Sequence, residues 1–141
     1  MLPPGRVGSA DVFFYGHFMD RDLLVAKGLT PGDARLGSLP GYELLIGPRA
    51  AVVPRPGARV HGTIMRLRLE ELAALYAEPG VRDYEPVPVV VELDDGRSIE
   101  AHVYNLAEPP DPAKRNDAYV VEWLRIARKV GLPATYIAEI G

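Results

Sequence analysis

The residues best suited to chemistry lie where the first apolar run of the sequence ends. The segment Phe13-Phe14-Tyr15-Gly16-His17-Phe18-Met19-Asp20 has the pattern of a strand that enters a tight turn and continues into a helix. A glycine at the end of a strand lets the backbone turn sharply, so that successive N–H groups point outward near a helix N-terminus. Such a turn attracts carboxylates or phosphates. A plain strand-turn-helix junction is the simpler interpretation, and these residues alone favour it.

Other residue types that carry catalysis are missing or poorly spaced. The chain has no cysteine, which excludes disulfides, thiol nucleophiles and thiolate metal sites. His17, His61 and His102 are too far apart for a His-x-His or His-Glu-x-x-His motif. We therefore expect no metal site. A metal-dependent hydrolase stays open as an alternative only if folding brings His61 and His102 together with a carboxylate.

Length and composition narrow the class of protein. The 141 residues, 48% apolar and 25% charged, are typical of one globular domain, with residues 1–10 as a loosely attached N-terminal segment. The net charge of −3 gives no reason to expect nucleic acid or an anionic membrane as a partner. The N-terminus lacks a signal-peptide pattern and no segment is long enough to span a bilayer, so we expect a soluble cytoplasmic protein.

The elements that must position the turn follow from apolar periodicity and from the many breakers, 14 glycines and 14 prolines. Asp20 and Asn116 are placed to cap helices, the first ended by Gly28 and the second by Gly131. A third, one-sided helix covers residues 69–76. Alternating or β-branched runs predict short strands joined by turns, at residues 12–15, 34–39, 42–46, 51–54, 60–67, 87–93, 99–104 and 135–140.

The valine-rich pair of strands fixes one turn by its register. A three-residue loop, Asp94-Asp95-Gly96 with Gly96 in the left-handed region, opposes Val91 to Ile99. A two-residue turn would instead oppose Val91 to Glu100 and place a charge among the valines. Strands with three interspersed helices predict the α+β class, as a closed or strongly curved small sheet with helices packed on it.

In order and spacing, several short segments resemble the γ-glutamylcyclotransferase-like family, which includes γ-glutamylamine cyclotransferases and plant avirulence-induced proteins. The segment Tyr15-Gly16-His17-Phe18-Met19 looks like the family's Tyr-Gly-(Ser/Thr)-(Leu/Asn)-(Met/Leu) motif. Further matches follow in order: Pro40-Gly41-Tyr42-Glu43-Leu44, Val60-His61-Gly62-Thr63-Ile64, Glu78-Pro79-Gly80-Val81, Tyr84, Ala101-His102-Val103-Tyr104, Gly131-Leu132-Pro133 and Tyr136. The resemblance covers nearly the whole chain, from Val12 to Ile140.

The resemblance implies a small mixed β-barrel of five to six strands with flanking helices. It also implies an enzyme without metal or cofactor that releases 5-oxoproline from a γ-glutamyl amine or amide. The substrate's own α-amine would attack its γ-carbonyl, so the enzyme has only to fold the substrate and move protons. One carboxylate suffices to carry the proton from the attacking amine to the leaving amine.

The matched positions imply the site residues. Glu78 stands where the family has its catalytic glutamate, and the backbone of Tyr15, Gly16, His17 and Phe18 would hold the substrate's α-carboxylate. Tyr119 matches a tyrosine that reaches the substrate, and Tyr84 is a candidate for the pocket lining. His17 and Phe18 depart from the motif, which leaves the identity of the γ-glutamyl substrate open.

Two other questions stay open at this point. The departures at His17 and Phe18 also suit a non-catalytic small-molecule-binding or interaction domain that kept the barrel and lost the chemistry. An exposed Glu78 beside a filled cavity would favour that alternative. The sequence is equally compatible with a monomer and a homodimer.

Overall fold

The structure, a computed structural model, describes residues 8–141 and has α+β architecture. Its strands are β1 (Ser9–Phe14), β2 (Arg35–Ile46), β3 (Ala50–Arg68), β4 (Glu85–Leu93) and β5 (Ser98–Asn105). Its helices are α1 (Arg21–Ala26), α2 (Leu69–Leu75), α3 (Asp117–Val130) and α4 (Ala134–Ile140). Two short 3₁₀ turns, His17–Met19 and Pro112–Lys114, precede α1 and α3.

The strands close into a small barrel in the order β1-β3-β2-β4-β5. Neighbouring strands are antiparallel except at the closure, where β1 runs parallel to β5 through Val12 opposite His102 and Phe13 opposite Val103. The prediction of an α+β fold with a mixed barrel and flanking helices is thereby confirmed.

The prolines and glycines between residues 35 and 68 do not divide the chain into four short strands, so that prediction is wrong. Apart from Gly47 and Pro48 in the connection, they lie within the two long strands β2 and β3, which pair with each other along most of their length. The ladder changes register between Pro40 and Tyr42, where Gly41 has φ +82°, and Gly57 has φ +83° in β3. An irregularity at a glycine with positive φ bends a strand without ending it, because only glycine adopts that conformation cheaply.

The register predicted for the valine hairpin is confirmed. Val91 lies opposite Ile99 and Val89 opposite Ala101, and the three-residue loop places Gly96 at φ +89°. Gly96 N–H donates to the Leu93 carbonyl, and Leu93 N–H donates to the Arg97 carbonyl.

The strand predicted at residues 135–140 is wrong, because this segment forms helix α4. Tyr136 and Ile137 are its buried residues, and the helix packs on α3. Since β1 and β5 already close the barrel, no free edge is left for a sixth strand.

The ends of the chain complete the fold. Residues 1–7 of the expected loose segment 1–10 lie outside the described residues, whereas Ser9 and Ala10 belong to β1 and pair with Arg68 and Leu67. The helix caps are as predicted: Asp20 accepts from Asp22 N–H, and Asn116 accepts from Tyr119 N–H. Among the described residues, no helix is long and apolar enough to cross a membrane.

Candidate functional site

The turn after β1 exposes two backbone donors. In the 3₁₀ turn, Met19 N–H donates to the Gly16 carbonyl at 3.1 Å and Asp20 N–H donates to the His17 carbonyl at 3.2 Å. These bonds leave the N–H groups of His17 and Phe18 without a backbone acceptor in residues 8–141. Free N–H groups at the start of a helical turn attract an anion.

Buried contacts from distant elements hold this turn in place. Trp123 of α3, which is fully buried, donates its indole Nε1–H to the Tyr15 carbonyl at 2.9 Å. Thr63 of β3 donates its hydroxyl to the Met19 carbonyl at 2.8 Å. Each bond gives a buried carbonyl a donor. Without that donor the unpaired acceptor would cost about 1–3 kcal/mol of stability.

Gly16 is required by a close approach. A Cβ placed on Gly16 would lie 2.5 Å from the Tyr119 hydroxyl oxygen, well inside the contact distance of two such atoms. The ring of Tyr119 stacks on His17 with centroids 4.0 Å apart, and His17 Nε2–H donates to the Tyr119 carbonyl at 3.2 Å. The first turn of α3 therefore forms one wall beside the backbone of Tyr15 to Phe18.

A pocket of about 170 Å³ opens against this turn. Six of the seven site residues named from the sequence line it: Tyr15, Gly16, His17, Phe18, Tyr84 and Tyr119. The other lining residues are Phe13, Phe14, Arg49, Ala50, Tyr76, Gly80, Val81 and Tyr104. Five of the seven tyrosines of the chain thus surround one cavity.

Burial raises the pKa of all five pocket tyrosines. The pKa of Tyr84 rises to about 12, and that of Tyr15, Tyr76 and Tyr119 rises well above the ordinary value of about 10. Their hydroxyls therefore stay protonated at neutral pH, and they are hydrogen-bond donors rather than bases. Two are already engaged, because Tyr15 donates to the Tyr104 carbonyl and Tyr84 donates to the Ala50 carbonyl.

Among the described residues that line the pocket, Arg49 is the permanently charged side chain, and none is an aspartate or glutamate. Its guanidinium carbon lies 5.3 Å from the centroid of the Tyr84 ring. Nη1 and Nη2 donate to the two carboxylate oxygens of Asp83, at 2.6 and 2.7 Å, and Nη1 also donates to the Gly80 carbonyl. The one permanent cation in the pocket lining is therefore already paired with a carboxylate outside it.

Glu78 is the one predicted site residue that does not line the pocket. It follows α2, and its carboxylate accepts two hydrogen bonds from Lys27 Nζ, at 2.8 and 3.1 Å. The Glu78 side chain is 42% exposed. The pair lies near the pocket wall, because Lys27 Nζ is 5.7 Å from the centroid of the Phe18 ring.

The histidines do not gather with carboxylates. His61 lies edge-on to Tyr136 with centroids 4.8 Å apart, and His102 lies on β5. Over residues 8–141, no three side chains of the metal-ligating types come together.

Of the pocket residues that sequence reasoning missed, three have polar side chains. Tyr76 lies on the apolar stripe of the 69–76 segment and reads as a core position, whereas the alternation in β5 puts Tyr104 on the face opposite Ala101 and Val103. The two tyrosine rings stack with centroids 3.8 Å apart. Arg49 follows a Gly-Pro pair in a loop, and nothing local distinguishes it from other exposed arginines. Only the closure of the barrel brings these residues to the turn after β1.

The structure thus combines a closed five-stranded barrel with an aromatic pocket beside a strand-to-helix turn. The family model for "gamma-glutamyl cyclotransferase, AIG2-like" proteins matches residues 12–125. The chain belongs to this family.

Solved structures share the fold. An uncharacterised human protein has a TM-score of 0.77 at 20% identity, with 94% of this chain and 86% of that chain covered. A structure described as a γ-glutamyl cyclotransferase has a TM-score of 0.76 with the same identity and coverage. A yeast γ-glutamyl cyclotransferase specific to glutathione has a TM-score of 0.65 at 10% identity, with 94% of each chain covered. No curated protein sequence matches the chain.

Proposed function

We propose that this protein is an intramolecular γ-glutamyl cyclotransferase that releases 5-oxoproline from a γ-glutamyl amine or amide. The observation that carries the proposal is that His17 and Phe18, whose N–H groups have no backbone acceptor among residues 8–141, line the same pocket as Tyr119 and Tyr84. Membership of the cyclotransferase family supports the reaction class.

In the proposed reaction the substrate's α-carboxylate binds the turn from Tyr15 to Phe18. The deprotonated α-amine attacks the γ-carbonyl carbon, a five-membered lactam forms, and the bond from that carbon to the leaving nitrogen breaks. Holding both reacting groups of one molecule in contact supplies much of the rate, because the entropy of bringing them together is already lost on binding. The neutral hydroxyl of Tyr119 is a suitable donor to the substrate.

Glu78 is our candidate for the proton carrier. It would take a proton from the attacking amine and give it to the leaving amine, which needs its carboxylate to turn from Lys27 toward the pocket. An ion pair between exposed side chains is worth only about 0.2–1 kcal/mol, so leaving Lys27 costs little.

The test is release of 5-oxoproline from a panel of γ-glutamyl amides by the wild type and by Glu78→Gln. We expect Glu78→Gln to lower kcat by at least about 100-fold, the usual scale for a general acid-base group. Glu70→Gln is the matched control, because Glu70 is also an exposed, ion-paired glutamate but lies on α2 away from the pocket. Lys27→Gln is expected to raise turnover by up to about fivefold by freeing the carboxylate. Unchanged turnover in Glu78→Gln would contradict the assigned role, and no product from any amide would contradict the reaction.

A non-catalytic binding domain is the second candidate, and the position of Glu78 favours it. The carboxylate is paired with Lys27 outside the lining of the pocket. This candidate predicts calorimetric binding of γ-glutamyl amides without 5-oxoproline release, at equal affinity in the wild type and in Glu78→Gln.

A further inference from the structure

The turn after β1 ends at a buried carboxylate. Asp20 is 5% exposed; its N–H closes the 3₁₀ turn by donating to the His17 carbonyl, and its side chain accepts from Asp22 N–H at the start of α1. Asp20 is two residues from Phe18, and two residues of chain span at most about 7 Å. Charges this close interact even in saline solution, where the screening length is about 8 Å. An uncompensated Asp20 would therefore repel an anion bound at the N–H groups of His17 and Phe18.

Lys129 compensates this charge from the last turn of α3. Its Nζ donates to both carboxylate oxygens of Asp20, at 3.0 Å each, and lies 3.0 Å from a carboxylate oxygen of Asp22. Among residues 8–141, no other cation lies within ion-pair distance of Asp20. Hydrogen bonds to Asp22 and Asp20 raise the pKa of Lys129 above its ordinary value, so its charge persists throughout the neutral range. Loss of Lys129 would leave a buried carboxylate without a counter-charge.

The ion pair is close to the turn but outside the pocket. Neither Asp20 nor Lys129 lines the pocket, so both would act on a ligand there without touching it. The same helix, α3, also holds the other end of the turn, because Trp123 donates its indole N–H to the Tyr15 carbonyl. Both ends of the turn are thus attached to one helix, and only the attachment at Asp20 is made by charges.

We propose that Lys129 is a positioning residue of the turn, which neutralises Asp20 and thereby preserves the affinity of the turn for a carboxylate. This inference rests on the proposed function, in which the substrate's α-carboxylate binds there. The alternative is a purely mechanical attachment of α3 to the turn. The two roles differ in specificity: the electrostatic role affects anionic ligands only, and it disappears when both charges are removed together.

Two non-reactive probes separate charge from shape. N-Ethylglutaramate is γ-glutamyl-ethylamide without the α-amine, so it keeps the carboxylate but has no nucleophile for cyclisation. N-Ethylglutaramide replaces that carboxylate with a neutral amide of similar size. Calorimetric titration of both probes gives the anion preference, which is the ratio of their two Kd values. We expect the wild type to prefer the anionic probe and Lys129→Gln to reduce the preference about three- to tenfold, the scale for one unit charge about 7 Å away in a medium between protein and water.

Companion variants complete the test. Lys129→Arg should retain the preference because it keeps the cation. Asp20→Asn/Lys129→Gln should restore it, since an asparagine still caps α1 and neither charge remains. Asp20→Asn alone should raise the preference above that of the wild type, which keeps the test decisive even where Lys129→Gln does not fold. Arg128→Gln is the matched control, because Arg128 is the adjacent exposed cation on α3 but does not pair with Asp20.

Three results would overturn the electrostatic role of Lys129. They are equal affinity of the wild type for the two probes, a parallel loss of affinity for both probes in Lys129→Gln, and a preference that stays reduced in Asp20→Asn/Lys129→Gln. Urea denaturation of each variant gives its free energy of unfolding, and a mechanical attachment predicts that the loss of affinity follows this quantity instead of the charge.

The probes also distinguish failure of this inference from failure of the reaction, because neither contains an attacking amine. An anion preference that depends on Lys129, with no 5-oxoproline released from any γ-glutamyl amide, would reject the cyclotransferase and retain the role of Lys129. Release of 5-oxoproline together with an anion preference that is unchanged in Lys129→Gln would do the reverse.

Discussion

The contact between Gly16 and Tyr119 gives a prediction that can be worked from a single distance. In Gly16→Ala the new Cβ would lie 2.5 Å from the Tyr119 hydroxyl oxygen, and two such atoms need more than 3.0 Å. Tyr119 cannot retreat freely, because its ring is stacked on His17. Overpacking of this kind costs about 1–3 kcal/mol, which we expect as the loss in free energy of unfolding.

Tyr119→Phe supplies the second half of a double-mutant cycle. With the hydroxyl removed, the nearest ring atom is the Cζ at 3.9 Å from the new Cβ, an ordinary contact. Gly16→Ala in that background should therefore cost less than about 0.5 kcal/mol, and the coupling between the two positions should reach about 1 kcal/mol or more. Urea denaturation of the four proteins measures it. Additive effects of the two substitutions would refute the contact.

Two further predictions concern hydrogen bonds made by buried side chains. The Glu71 side chain is buried, with 4% of its surface exposed. Burial raises the pKa of Glu71, but the hydrogen bonds that it accepts from Thr30 and Arg68 outweigh burial and lower the pKa to about 2. Since this folded-state pKa lies below the unfolded value of about 4.3, Glu71 stabilises the fold by about 3 kcal/mol above that pH, and the stability is lost as pH falls toward 2. Acid titration should show this loss in the wild type, and a Glu71→Gln protein with the same acid profile would contradict it. Trp123→Phe leaves the Tyr15 carbonyl without its donor and should lower the free energy of unfolding by about 1–3 kcal/mol, measured by thermal denaturation. The rate of 5-oxoproline release should fall by a larger factor than the fraction of folded protein. An unchanged melting temperature would argue against the bond.

Local signals in the sequence predicted the parts of the fold whose stability is local. Asp20 and Asn116 cap their helices through hydrogen bonds two and three residues along the chain, and Gly131 ends α3 at φ +88°. The register of the hairpin around Gly96 followed from the alternation of valines, since any slip by one residue reverses every side chain.

The errors occurred where neighbours outweigh local pattern. The breakers around Gly41 and Gly57 became irregularities inside long strands, because the pairing of β2 with β3 continues past them. Residues 134–140 formed a helix, because the barrel was already closed by β1 and β5 and the face of α3 was the available surface.

The sequence by itself determined the caps, the hairpin, the strand-to-turn junction at Gly16 and, through short ordered motifs, the family of the protein. Only the tertiary structure decided what the turn faces. The stack of His17 on Tyr119 joins residues 102 apart, and the ion pair of Glu78 with Lys27 joins residues 51 apart. Such contacts depend on where barrel closure places each element, which no local window contains. For the same reason the charge of the pocket, carried by Arg49, is a property of the folded chain and not of any motif.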